Sequence, residues 1–321
     1  MDRRRQRTRA LAAAFALAAG AAAAGGAEPP MRAMRWAAPA ADPLRAFATA
    51  PAECLAIPAD PEAALAVEVG RAAFRTPVLL GGQAARAGLS CETCHRSGRD
   101  NPDFLFPGVS GAPGTADVTT ALFSSHRADG VDDPVPIPDL SGPPERLKTP
   151  PAARRAFIRG LIVEEFDGPE PPARVLDGLV AYVGALTPAA CPEPARVRVS
   201  AETLMDDARR ALAAARAELA RGEAPTAVLM VAAARARLGL IDERYAAVPQ
   251  AQARLRAADA GLSALQEDIR AGAPEAPARL ERWLAGAGAL TAALARDEAR
   301  SLFAPERLKA AANRRLPEGP T

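Results

Sequence analysis

The chain has 321 residues, of which 49% are hydrophobic, so it is long enough for two domains that each bury a core. Abundant Ala, Arg and Pro with only 4% aromatic residues favour Ala-rich helices joined by Pro-containing turns over extensive sheet. The formal charge is +2, but the leader described next contributes +4 (five arginines against one aspartate), which leaves about −2 for the rest. That balance excludes the basic surface typical of nucleic-acid-binding proteins.

Residues 1–27 have the pattern of a secretory signal peptide. A basic stretch over 2–9 precedes an apolar run over about 10–24, and small residues follow. The run is shorter than a membrane-spanning helix needs and no stop-transfer segment follows, so we expect no membrane span in the mature chain. The pattern predicts export to the periplasm, with an uncleaved N-terminal membrane anchor as the alternative.

Residues 28–62 are predicted to be irregular because prolines interrupt any periodicity. A helix is expected from Ala63 to about Phe74. Gly70 within that helix would let another helix approach closely.

The run Cys91-Glu92-Thr93-Cys94-His95 is the attachment pattern for c-type haem. One helical turn presents both thiols on one side, where they can bond to the two haem vinyl groups, and the imidazole follows in reach of the iron. We therefore predict one covalent haem c, with Cys91 and Cys94 as its tethers and His95 as the proximal iron ligand.

Three other interpretations of this run compete. A zinc site would use Cys91, Cys94 and one or both histidines, but the expected downstream ligand pair is missing. A thioredoxin-like redox pair needs a βαβ context that the sequence does not indicate. A chance match of five residues is the third. The haem interpretation is favoured because c-type haem is attached outside the bacterial cytoplasm and the leader independently predicts export.

Cys54 and Cys191 are the remaining thiols. An even pair in an oxidising compartment predicts a disulfide, here one that brackets the haem segment. The alternative is two unpaired buried thiols.

Several short runs around the haem motif resemble the first haem segment of bacterial cytochrome c peroxidases and their MauG-like relatives. The runs are Gly70-Arg71-Ala72-Ala73-Phe74, Pro77-Val78-Leu79, Gly88-Leu89-Ser90 before the motif, Leu147-Lys148-Thr149-Pro150-Pro151 and Phe166-Asp167-Gly168. The resemblance covers about residues 63–188 and implies a cytochrome c-like haem domain, which we place at 63–192. It also implies haem peroxidase chemistry.

The chain departs from that family in two ways. Family peroxidases use two haems, whereas this chain has a single Cys-x-x-Cys-His motif, so peroxide reduction would need a partner electron donor. No Met lies between His95 and Met205, and the position where relatives place a Met or Tyr falls at Glu165. Without a thioether ligand, we expect a lower potential than that of a His/Met cytochrome.

The sixth iron ligand stays open. His126 is the other histidine, and it would give a low-potential bis-histidine haem; it lies on a polar stretch, so a solvent-exposed side chain is the alternative. A third option is an open or water-bound site with Glu165 nearby, which would permit peroxide chemistry. Arg99 is a candidate partner for a haem propionate. The expected apolar wall of the site is Phe104, Phe106, Val109, Leu122 and Phe123.

Two helices are expected to close this domain, over 152–165 and 173–186. The first has Phe157, Leu161 and Ile162 on one face. The second resembles the C-terminal helix of small cytochromes c, which crosses the N-terminal helix; here that would pair it with the region of Gly70.

Residues 199–308 are predicted to form an antiparallel four-helix bundle because apolar stripes at helical spacing alternate with short Gly- and Pro-containing breaks. Ser200 is the expected cap of its first helix. Residues 309–321 are predicted to be a loose tail. The bundle would dock a partner, form a homodimer, or cover the haem domain.

The sequence thus predicts an all-α protein: a cytochrome c-like haem domain followed by an antiparallel helical bundle. The leading function is periplasmic electron transfer to a redox partner protein. The alternatives are a peroxidase-like enzyme and a haem-based sensor of gas or redox state.

Overall fold

The computed structural model describes residues 31–119, 122–124, 131–143, 149–191 and 195–313. The described chain is mostly helical, and its strands are short, which confirms the all-α class. The two strand pairs are antiparallel ribbons of two or three residues per strand. The predicted leader 1–27 lies outside the described residues.

Among the described residues, the part of the chain that carries the Cys-x-x-Cys-His motif contains five α-helices. They are α1 (Pro61–Phe74), α2 (Gly82–Ala87), the single turn α3 (Cys91–Cys94), α4 (Arg154–Gly160) and α5 (Ala173–Ala185). The first begins two residues earlier than predicted because Asp60 caps it, accepting a hydrogen bond from the Ala63 amide at 2.8 Å.

Helix α1 crosses α5 at two glycines. A Cβ atom built on Gly178 would lie 2.8 Å from the Gly70 nitrogen, and one built on Gly70 would overlap the Gly178 carbonyl. The two backbones therefore touch, which only glycine permits at this crossing. Phe74 and Tyr182 pack beside it with ring centroids 5.0 Å apart. The predicted crossing of these two helices is confirmed.

Four long helices follow: α6 (Ala201–Ala220), α7 (Ala224–Arg244), α8 (Pro249–Ala271) and α9 (Ala276–Asp297). Ser200 caps α6 by accepting a hydrogen bond from the Thr203 amide at 3.1 Å, as predicted. Each helix packs on the next and α9 packs back on α6, so the helices close into a bundle. Short connections make consecutive helices antiparallel.

The sequence predicts a loose tail that begins at residue 309. This is wrong for residues 309–312, because they belong to a further helix, α10, which runs from Pro305 to Ala312. Its Leu308 and Ala312 join a small apolar cluster with Met31, Met34 and Phe47 of the N-terminal segment. Burial of both partners explains the order of a segment that has little periodicity of its own.

The N-terminal segment is less irregular than predicted. It contains a 3-10 turn (Arg32–Trp36), a π-helical turn (Leu44–Ala48) and strand β1 (Thr49–Pro51). Strand β1 pairs with β4 (Arg196–Arg198). The other ribbon consists of β2 (Thr115–Ala116) and β3 (Val135–Pro136).

The predicted helix over 152–165 is divided. A 3-10 turn (Pro151–Ala153) leads into α4, and a π-helical turn (Leu161–Glu165) follows it. The sequence predicts that Phe157 and Ile162 lie on the same apolar face. Ile162 is buried but Phe157 is 49% exposed, so this prediction is wrong for Phe157. The widened final turn changes the facing of the side chains along this segment.

One hydrophobic cluster extends from α1 and α5 into the bundle helices, so the two predicted domains share a core. Helix α7 is the one described helix that is long and apolar enough to cross a membrane, and half of its most apolar window is buried inside the fold. A core helix has the same composition.

Candidate functional site

The turn α3 holds the two motif cysteines on one short, well-capped element. Thr93 Oγ1 accepts a hydrogen bond from the Ser90 amide at 3.0 Å, and the His95 amide donates to the Cys91 carbonyl at 2.8 Å. Cys91 and Cys94 are half-buried, and neither is in a disulfide. The two cysteines, three positions apart, therefore share one face of a single helical turn.

The imidazole of His95 is oriented by a backbone carbonyl. Its Nδ1 lies 3.0 Å from the carbonyl oxygen of Pro138, a group that can only accept, so Nδ1 carries the proton. This leaves Nε2 with the lone pair that binds a metal. Burial lowers the pKa of His95 to about 4, which keeps the ring neutral near pH 7.

The thiols are also held in their uncharged form. Burial raises the pKa of Cys91 and of Cys94 to about 12, so both are protonated near neutral pH. A thioredoxin-type redox pair relies on the opposite, a depressed thiol pKa. The electrostatics of this turn therefore disfavour that alternative.

Aromatic side chains surround the motif. The Phe74 ring centroid lies 6.4 Å from that of His95, and Phe106 stacks on Trp36 with centroids 4.1 Å apart. The predicted apolar wall is buried at Phe104, Phe106, Val109 and Phe123. Its fifth member is wrong: Leu122 is 63% exposed.

Arg99 has a protein partner. Its Nε donates to Asp139 Oδ2 at 2.6 Å, and Nη1 lies 3.5 Å from Cys54 Sγ. Asp139 also accepts from the Ser141 hydroxyl at 2.7 Å. The guanidinium thus ties the residues after the motif to the loop that carries Pro138, and the predicted contact with a propionate stays a prediction.

Glu165 ends the π-helical turn and is 2% exposed. The following loop packs on the turn after α1: a Cβ atom on Gly168 would lie 2.7 Å from the carbonyl oxygens of Ile162 and Leu79. Two of the segments that resemble the peroxidase family are therefore adjacent. His126, the other candidate ligand, lies outside the described residues.

Cys54 and Cys191 are at disulfide distance, with Cα atoms 5.1 Å apart, so the predicted pair is brought together. The backbone beside them is also paired, since the Thr187 amide donates to the Cys54 carbonyl at 2.8 Å. The two ends of the stretch 54–191, which contains the Cys-x-x-Cys-His motif, are thereby joined.

A buried ionic network behind the motif was not predicted. Glu53 accepts from Arg71 Nε, from Arg75 Nη2 and from the Tyr182 hydroxyl, each at 2.7 Å. Asp207 of α6 pairs with Arg71. These partners are far apart in sequence, and no local pattern distinguishes them from ordinary surface charges.

The residues of the motif offer the groups that a covalent haem would need from the protein, two thiols and one oriented imidazole. Among the residues the structure describes, no group of three or more His, Cys, Asp or Glu side chains is placed to hold a metal ion. A haem iron takes its equatorial ligands from the porphyrin and needs only axial ones from the protein. Here His95 would supply one axial ligand, and Cys91 and Cys94 would supply the covalent attachment.

Comparison with protein-family models, with curated proteins and with solved structures gave no match to this chain. A functional assignment therefore depends on the residues and geometry described above.

Proposed function

We propose that this chain is an exported c-type cytochrome that carries one covalent haem c and transfers electrons in the periplasm. The observation that carries the proposal is the turn α3: two free thiols on one face, followed by an imidazole whose Nδ1 lies 3.0 Å from the Pro138 carbonyl oxygen. The fold is mostly helical, which agrees with a cytochrome c-like domain.

Each residue has a defined task in this proposal. Cys91 and Cys94 tether the macrocycle, and His95 offers Nε2 to the iron. The Pro138 carbonyl fixes the ring orientation and increases the basicity of that nitrogen. When bound, the haem supplies a ferric/ferrous couple. Phe74 and its aromatic neighbours keep water away, and such burial is one determinant of the reduction potential.

The test is the intact mass of the exported protein after denaturation and acid-acetone extraction, which removes haem that is not covalently bound. We expect one added haem on the wild-type chain and none on the Cys91→Ala/Cys94→Ala double variant. The matched control is Cys54→Ala/Cys191→Ala, which removes two thiols outside the motif and should keep the haem. A wild-type mass without a macrocycle would refute the proposal.

A second candidate is a haem peroxidase supplied with electrons by a partner protein. The observation that favours it is Glu165, a buried carboxylate in the segment where the resembling family places a distal residue. High-spin iron with peroxide turnover that falls in Glu165→Gln would support it. A low-spin spectrum that peroxide leaves unchanged would support the electron carrier.

The bundle has a structural task in either case. Asp207 and Arg210 of α6 pair with Arg71 and Glu68 of α1, so the bundle covers one side of the helix that packs on the haem motif. We propose that it shields this part of the molecule. The redox partner then meets the remaining surface.

A further inference from the structure

A cavity of about 340 Å³ lies between the α3 turn, the N-terminal segment and helix α7. Ser90, Glu92 and Thr93 line it, whereas Cys91, Cys94 and His95 do not, so it lies beside the motif turn and does not include the two thiols or the imidazole. Its volume is at the small end of known ligand pockets, about 300–1,000 Å³.

The cavity reaches the protein surface. Arg32 and Arg198 belong to its lining, and their side chains are 45% and 65% exposed. Both are paired with carboxylates, Arg32 with Glu243 and Arg198 with Glu298. A small solute therefore has a route from solvent to the interior.

One side of the lining is electrostatically balanced. Arg71 and Arg75 lie there with Glu53 and Asp207. The nitrogen–oxygen distances are 2.7 Å from Glu53 to each arginine and 2.5 Å from Asp207 to Arg71. These charges compensate one another and need no further counterion.

The other side carries buried cations that have no carboxylate of the described residues at salt-bridge distance, although Glu92 also lines the cavity and attracts Arg96 and Arg237 from farther away. Arg237 and Arg244 are 7% and 8% exposed. Arg237 donates to the Arg75 carbonyl and Arg244 to the Phe47 carbonyl, both at 2.7 Å, and Arg96 donates to the Thr49 carbonyl at 2.7 Å. Within the part of the chain that the structure describes, no carboxylate lies within 4.0 Å of these three guanidinium groups.

Burying such charges is unfavourable. Burial lowers the pKa of Arg244 to about 10, and the nearby charge of Arg96 lowers it further. Burial also lowers the pKa of Arg237, against the attraction of Asp207 and Glu92. Carbonyl oxygens carry only partial charge, so a bound anion would stabilise this side of the cavity.

The same cavity has an apolar wall. Trp36, Phe47 and Leu240 line it beside the arginines, and Phe47 is 6% exposed. An occupant that matches both parts has an anionic head and an apolar body.

We propose that this cavity binds a small organic anion, with its carboxylate or phosphate head against Arg237 and Arg244 and its apolar body against Trp36 and Phe47. The lining does not include Cys91, Cys94 or His95, so the proposal does not depend on haem attachment. The ligand would contact the back of the turn that carries the motif.

Calorimetric titration of the purified full-length exported protein tests this, with benzoate as the probe. Benzamide has the same ring without the charge, and inorganic phosphate has the charge without a ring. We expect benzoate to bind about tenfold or more tightly than either, because hydrogen bonds to a charged head contribute most. Equal binding of benzamide, tighter binding of phosphate, or no binding of benzoate would each overturn the proposal.

Arg237→Gln and Arg244→Gln should each weaken benzoate binding about tenfold or more. Arg235→Gln is the matched control: it removes a cation two positions away on α7 that pairs with Asp259 outside the cavity, and it should leave the affinity unchanged. Circular dichroism establishes that each variant is folded. If a variant does not fold, the comparison of benzoate with benzamide binding to the wild-type protein still tests whether the cavity prefers an anionic ligand.

Discussion

Gly70 of α1 and Gly178 of α5 touch backbone to backbone, and this contact sets the distance between the two helices that frame the motif. A side chain at either position meets main-chain atoms of the other helix, which cannot move aside as a flexible side chain would. The position of Phe74, which lies next to His95 and Tyr182, follows from this crossing.

The first prediction is that Gly70→Ala destabilises the protein by about 3 kcal/mol. Overpacking a core usually costs about 1–3 kcal/mol, and the cost is at the upper end here because the added methyl group meets backbone atoms. Denaturant unfolding followed by circular dichroism measures it. Gly184→Ala on α5 is the control. A Cβ there would approach Arg154 only to 3.7 Å, so it should be neutral or stabilising by up to about 1 kcal/mol. Equal effects of the two changes would contradict the close crossing.

The second prediction concerns acid stability. Burial alone would raise the pKa of Glu53, but Arg75 and Arg71 outweigh it and hold that pKa far below its ordinary value of 4.5. A depressed folded-state pKa contributes stability that is present above the ordinary pKa and is lost as pH falls below it. We expect the free energy of unfolding to decrease below about pH 4.5, and this decrease to be smaller in Glu53→Gln.

The same variant should be less stable near pH 7, by about 3–5 kcal/mol, because Arg71 and Arg75 lose their shared counterion while buried. Glu202→Gln removes an exposed carboxylate from α6 and should change stability by less than about 0.5 kcal/mol. A Glu53→Gln protein with wild-type stability at pH 7 would show that the network contributes little.

The third prediction concerns the cysteine pair, whose members are 137 residues apart in sequence. A disulfide that closes so long a loop is expected to raise the free energy of unfolding by about 2–4 kcal/mol. The Cys54→Ala/Cys191→Ala variant should have a free energy of unfolding lower by that amount. A reductant should lower the free energy of unfolding of the wild type and leave that of the variant unchanged. Thiol titration of the unfolded protein gives the number of free cysteines. An unchanged midpoint with reductant would mean that the bridge is not formed.

The fourth prediction concerns the iron's sixth ligand. If His126 occupies that position, His126→Ala should shift the resting iron towards high spin, because one strong-field nitrogen is removed. Absorption and electron paramagnetic resonance spectra of the holoprotein report this change. Ser110→Ala, another polar residue of the loops between the motif and α4, is the comparison and should leave the spectrum as it is. An unchanged spectrum in the histidine variant would remove it as a ligand.

Local chemistry accounts for what could be predicted here. Ser200 starts α6 through its own side chain, as its position before an apolar stripe predicts. The crossing at Gly70 is predicted by the resemblance of α5 to the C-terminal helix of small cytochromes c, together with a glycine that permits close approach. What could not be predicted depends on residues distant in the chain. The Pro138 carbonyl that orients His95 lies 43 positions later in the sequence, and Leu308 packs in the cluster of the N-terminal segment. Such pairings leave no periodic pattern.

The placement of α1 determines how the molecule can be divided. One flank of this helix packs on α5 and the other on α6, and its Arg71 has an acid on each side of that division, Glu53 and Asp207. A chain ended at the Cys191–Ser200 connection would leave an apolar helix flank and an arginine facing solvent. Shortening the protein to a minimal redox module therefore requires a redesigned surface on α1 in place of the helices removed.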